Sequence, residues 1–154
     1  MGFDYSLTFA TLTTEEKRIY LSQFNEEQLD ELLEHKYLTA TRWVNYRDKL
    51  DVDIMNKNKD IAEAYKYNDN RRAEKLTADL DDLKLERAKA QKVCEINHLE
   101  ACCCFITYCE RHNLTEDKIS KDHKDCFPLR NWKDIEGFLQ RNNNYQEVPE
   151  LGKF

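Results

Sequence analysis

Residues 71–112 read RRAEKLTADLDDLKLERAKAQKVCEINHLEACCCFITYCERH, and their spacing decides the fold. Ala73, Leu76, Leu80, Leu83, Arg87, Ala90, Cys94, Asn97, Ala101, Cys104 and Tyr108 fall in alternating steps of three and four, which is the seam of a helix packed against another helix. At about 1.5 Å per residue this helix runs about 60 Å, more than a compact domain of this size encloses, so one end must project. Its character changes along its length. Leu76, Leu80 and Leu83 make a single stripe, whereas Leu99 to Cys109 is apolar on nearly every side and must be surrounded. Arg87 and Asn97 pack poorly at seam positions and are expected to fix register.

Working outward, the polar stretch Tyr67-Asn68-Asp69-Asn70-Arg71-Arg72 separates this helix from an earlier one whose Trp43, Leu50, Ile54 and Ile61 recur at steps of seven, four and seven. Two such helices joined by a short polar bend predict an antiparallel hairpin over residues 41–112, coiled-coil-like, with its tip near 67–72. Residues 1–40 are expected to form a small helical base. Within it, Thr13 or Thr14 followed by Glu15 and Glu16 starts one helix, with Ile19, Tyr20 and Phe24 inside. Asn25 with Gln28 makes a capping box for a second, with Leu29, Leu32, Leu33 and Tyr37 inside. A third begins near Thr39 or Thr41 and leads into the hairpin. Residues 3–10 alternate apolar with polar and predict a short extended segment. After Asn113, residues 115–119 suit one or two helical turns, Phe127-Pro128 breaks the chain, and Asn131 caps a last helix with Trp132, Ile135, Phe138 and Leu139 on one face. Residues 113–142 are expected to pack on the base and 143–154 to form a flexible tail. The expected fold is all-α: a small helical base with a long protruding hairpin.

Composition agrees, because 154 residues with only three glycines and two prolines lack the turn punctuation of β or α/β folds. The net charge of −6 is unevenly placed: residues 1–40 hold eight acids and three bases, residues 41–112 fourteen of each, and residues 113–154 eight and seven. That balance argues against general phosphate binding. No apolar run approaches a membrane span, and the first ten residues lack the basic start and apolar core of a secretory signal, so a cytoplasmic protein is expected. Three of the six cysteines, Cys102, Cys103 and Cys104, are consecutive within an apolar helical run, which predicts reduced thiols packed as small hydrophobes.

Four sets of residues are candidates for function. Glu26, Glu27, Asp30, Glu31 and Glu34 make an acidic outer face suited to a protein partner. At the hairpin tip, Tyr65, Lys66, Tyr67, Arg71 and Arg72 bring aromatic and basic groups together, a second partner-binding candidate. Thr41, Arg42, Asn45, Arg47 and Lys49 follow the short 37–41 link with the outline of a helix-turn-helix, whose last helix would enter a DNA major groove. Cys109, His112, His123 and Cys126, in the pattern Cys-x2-His-x10-His-x2-Cys, offer two close pairs of N and S ligands for zinc. The steps of four in Cys94, His98 and Cys102 drift too far around a helix for easy metal binding and predict core packing instead.

A three-helix base joined to a central hairpin and a tail resembles, in outline only, small viral terminase subunits and similar scaffolds, which implies DNA binding by residues 39–49 in a coiled-coil dimer. No glycine-rich phosphate loop, Gly-x-Ser-x-Gly or His-Glu-x-x-His occurs, and no catalytic set is expected. The sequence therefore favours a non-enzymatic adaptor or inhibitor that occupies another protein's surface, with homodimerisation through the seam open. The alternatives are the helix-turn-helix DNA binder and a zinc-stabilised helical module.

Overall fold

The structure, a computed structural model, describes residue 9 and residues 11–142. The tail 143–154 and most of the expected extended segment 3–10 lie outside the described residues. Phe9, the described member of that segment, is helical and buried. Five α-helices follow: α1 (Thr14–Ser22), α2 (Glu26–Lys66), α3 (Asn70–Arg111), then a 3-10 turn at Glu116–Lys118, α4 (Lys121–Cys126) and α5 (Trp132–Arg141). The fold is all-α, and α2 and α3 form an antiparallel hairpin. No helix among the described residues is long and apolar enough to cross a membrane.

Helix starts follow the expected side-chain chemistry. Thr13 and Glu16 cap α1 reciprocally, at 3.2 Å to the Glu16 amide and 3.0 Å back to the Thr13 amide. Asn25 and Gln28 do the same for α2, at 2.8 and 3.1 Å. Asn131 caps α5 through the Asp134 amide, 2.8 Å. The short helix α4 was not expected; its cap is Ser120, whose hydroxyl accepts from the His123 amide.

The largest departure lies at residues 37–41. In place of two helices and a link, α2 runs unbroken from the base into the arm. Tyr-Leu-Thr-Ala-Thr contains no glycine or proline to stop it, and the Thr41 hydroxyl donates back to the Tyr37 carbonyl at 3.0 Å, as a mid-helix threonine does. The boundary expected between residues 40 and 41 is therefore no boundary. The seam crosses it continuously through Leu29, Leu32, Lys36, Ala40, Trp43, Arg47, Leu50, Ile54, Lys57, Ile61 and Ala64, again in steps of three and four.

Four cross-helix pairs share one register along the hairpin, while the long Tyr46 side chain reaches further toward the tip, to Glu86 at 3.0 Å. Lys36 meets Glu100, Arg47 meets Gln91, Asp51 meets Arg87 and Lys57 meets Asp79, so the paired residue numbers sum to between 136 and 138. Half of that falls at Asn68, which turns the chain with φ 58°. Asparagine tolerates this left-handed conformation better than other residues with a Cβ. The Asn68 and Asp69 amides close onto Tyr65 and Ala64 carbonyls, 3.1 and 2.8 Å, and the Asp69 side chain then caps α3 at the Arg72 amide. Arg87 does bridge the helices, to Asp51 at 3.0 Å; buried Asn97 does not, since its amide donates within α3 to Val93 O.

Two packed regions divide the molecule. The base core joins Phe9, Leu21 of α1, Leu29 and Leu32 of α2, Ile96 to Cys109 of α3, Phe127, and Ile135 of α5. A second cluster, Trp43, Leu50, Ala90 and Cys94, comes from α2 and α3 alone. The expectation of a base built on the all-round apolar half of α3 thus holds, with the C-terminal segments packed against it. All six cysteines are free, and five are buried. Burial pushes the Cys102 thiol up to about 11 and those of Cys103 and Cys104 well above their usual range, so they act as small apolar side chains.

Candidate functional site

The acidic face survives as a surface. Glu26, Glu27, Asp30, Glu31 and Glu34 are all exposed on α2 at the base. Glu26 pairs with His112 at 2.7 Å, tying the start of α2 to the end of α3. The other four carboxylates enter no ion pair among the described residues.

Beside that face lies an open groove of about 640 Å³. One wall is Asp30, Leu33, Glu34 and Tyr37 of α2; the floor is Phe105 and Tyr108 of α3; the far wall is Leu114, Lys118, Ile119, Ser120, His123 and Phe127. A second left-handed asparagine builds it. Asn113, φ 50°, turns the chain at the end of α3, and the Leu114 amide closes on the Cys109 carbonyl at 2.9 Å. The following segment then runs back along α3 and faces α2. Phe105 stacks against Phe127 at 4.6 Å and against His123 at 5.5 Å, while Tyr37 tilts onto Phe127 at 5.7 Å. Three polar groups of these walls are engaged locally. Tyr37 Oη donates to Cys126 Sγ at 3.5 Å, and His123 Nδ1 shares a hydrogen bond with the Ser120 hydroxyl at 2.8 Å. That sulfur contact also raises the Tyr37 hydroxyl above its ordinary pKa.

The zinc candidates do not converge. Cys109 is buried in the core, His112 is held by Glu26, His123 lies on Phe105, and Cys126 receives Tyr37. Among the described residues no group of three or more His, Cys, Asp or Glu stands close enough to hold one ion. His98 likewise turns away from Cys94 and Cys102 to bond the Cys126 carbonyl at 2.8 Å.

The helix-turn-helix candidates lose the turn they require, because Thr41, Arg42, Asn45, Arg47 and Lys49 all sit within the unbroken α2. Arg47 is committed to Gln91 and Asp48, at 2.7 and 3.1 Å. A recognition helix must be free to lie in a groove with its partner helix set across it; this one is one strand of a coiled coil.

The tip is as exposed as expected. Tyr65 is 56% and Tyr67 69% accessible, the Lys66 ammonium stands 5.9 Å from the Tyr67 ring, and Arg71 and Arg72 face solvent.

Sequence reasoning missed both the groove and a buried charge cluster in the base. Lys36 and Glu100 meet at 2.5 Å with their side chains about 1–2% exposed, and no third group among the described residues hydrogen-bonds to that pair. Burial outweighs the neighbouring ammonium and pushes the Glu100 carboxyl up to about 7. Lys17, fully buried, donates to the Phe9 and Leu12 carbonyls at 2.8 and 2.5 Å, and burial lowers its pKa. Lys36 carried a readable signal, since it stands in step with Leu32 and Ala40 on the seam. The groove had a fainter one: asparagine then leucine at a helix end marks a chain that folds back. Comparison with protein-family models, curated proteins and solved structures finds no match to this chain.

Proposed function

We propose that this protein is a non-enzymatic adaptor or inhibitor that binds other proteins and acts by steric or electrostatic occupancy of their surfaces. One observation carries the reading: a single rigid hairpin holds two exposed patches of opposite sign at its two ends. The acidic patch around Asp30 sits at the base, the aromatic and basic patch around Tyr67 at the tip. The first lies near the start of α2 and the second joins the end of α2 to the start of α3, and the thirty-five residue steps from Asp30 to Tyr65 span about 50 Å at helical rise. A coiled coil of that length keeps its ends apart without a flexible linker, which suits bridging two partners or reaching across one.

Capture from the native host with two variants tests this. Glu27→Lys/Asp30→Lys/Glu31→Lys reverses the base patch, and Tyr67→Ala/Arg71→Glu/Arg72→Glu removes the tip. An adaptor loses a different protein with each variant, an inhibitor loses its one target with either, and helicity by circular dichroism is unchanged in both. If both variants retain everything the native chain retains, the reading fails.

A further inference from the structure

We infer that the groove between α2 and the 114–127 segment is the docking site for a basic amphipathic helix of a partner protein. This rests on the protein-binding reading above and adds where the partner sits and what chemistry it carries.

Shape supplies the first half of the argument. At about 640 Å³, with Leu33, Tyr37, Phe105, Tyr108, Ile119 and Phe127 around it, the groove has room for several apolar side chains. The tyrosine hydroxyl and His123 Nδ1 in its walls are already hydrogen-bonded, so the guest meets mainly ring and aliphatic carbon. An amphipathic helix presenting anchors at i, i+3 or i+4, and i+7 suits an open apolar groove of this kind.

Charge supplies the second half. Asp30 and Glu34 stand one helical turn apart on the groove's α2 edge, both exposed and neither in an ion pair. Glu27 and Glu31 stand behind them, and Lys118 is the single lysine or arginine lining the groove. Basic residues four apart on a guest helix would meet the two carboxylates in turn, and arginine would do so with paired hydrogen bonds. An acidic helix or a phosphate would be repelled by the same edge.

Synthetic amphipathic helical peptides test the assignment by fluorescence anisotropy against the full chain. The probes are one with leucine and phenylalanine anchors flanked by arginine, one with glutamate replacing the arginines, and one with serine replacing the anchors. The arginine peptide should bind at least tenfold more tightly than either of the others. Asp30→Lys/Glu34→Lys should reverse the charge preference, and Ile119→Trp should fill the trough and abolish binding while melting stays unchanged. The assignment is overturned if the arginine peptide fails to bind, if the serine peptide binds equally well, or if both variants bind like the native chain. If the tip variant loses host partners while Asp30→Lys/Glu34→Lys loses none, the assignment is likewise overturned, yet the protein-binding reading stands. Host capture unaltered by every variant would end both.

Discussion

Leu99 and Leu76 belong to the same helix, yet they live in different environments. Leu99 is 2% exposed in a core assembled from α1, α2, α3 and α5, whereas Leu76 is half-buried where α3 faces α2 alone. Along the arm, stability comes from a narrow seam flanked by exposed pairs such as Asp51 with Arg87, which contribute about 0–1 kcal/mol each. The base instead buries charge. Closing a core over Lys17, Lys36 and Glu100 restricts how the pieces can assemble, because Lys36 and Glu100 must meet and Lys17 must reach the Phe9 and Leu12 carbonyls. The arm tolerates sliding more readily, so its register depends on the bend and on those flanking pairs.

The sharpest way to break this contrast is at Lys36. Lys36→Ala leaves Glu100 buried without its ammonium and should cost about 3–5 kcal/mol in denaturant unfolding, while Lys36→Met/Glu100→Met should come within about 1 kcal/mol of the native chain. The pH dependence has a defined sign. Because the folded-state pKa of Glu100 is raised to about 7, its contribution is fully present below its ordinary value near 4.5 and is lost as pH rises through 7. Native melting temperature should therefore fall relative to Glu100→Gln between pH 5 and 8. Parallel curves would show that Lys36 keeps the carboxylate charged throughout.

Next in size is the comparison of the leucines themselves. Leu99→Ala should cost about 2–5 kcal/mol and Leu76→Ala about 1 kcal/mol or less, read from the same unfolding curves. Equal costs would mean that the arm is as enclosed as the base. The smallest effect lies at the bend: Asn68→Ala should cost about 1–2 kcal/mol, since alanine resists the left-handed conformation, and Asn68→Gly should be close to neutral. Loss of stability with glycine would place the importance of Asn68 in its side chain.

How legible these features were depended on whether they arise locally. The descending seam could be read residue by residue, as could the bend and the caps at Thr13, Asn25 and Asn131, because each needs only neighbours within a turn or two. The false break at 37–41 came from reading Thr39 or Thr41 as a helix start, where Lys36 instead carries the seam across. Its partner is Glu100, sixty-four positions away, and no local pattern announces that a lysine has one. The acidic side of the groove was visible as a run of carboxylates on one helix face. Its aromatic side was not, since Tyr37, Phe105, Tyr108 and Phe127 meet only after Asn113 reverses the chain. The four zinc candidates stand apart in this structure for the converse reason: spacing that suits two ligand pairs says nothing about what else, here Glu26, Phe105 and Tyr37, reaches those side chains.

The shared register of those four pairs, centred near Asn68, makes the hairpin a ruler with removable divisions. Residues 54–60 and 77–83 are mirror images about the bend, seven on each limb. Excising both together restores every remaining partner and draws the two ends about 10 Å closer, whereas excising one alone shears the zipper. Reach in this molecule is thus set by counting heptads in matched pairs, independently of what either end binds.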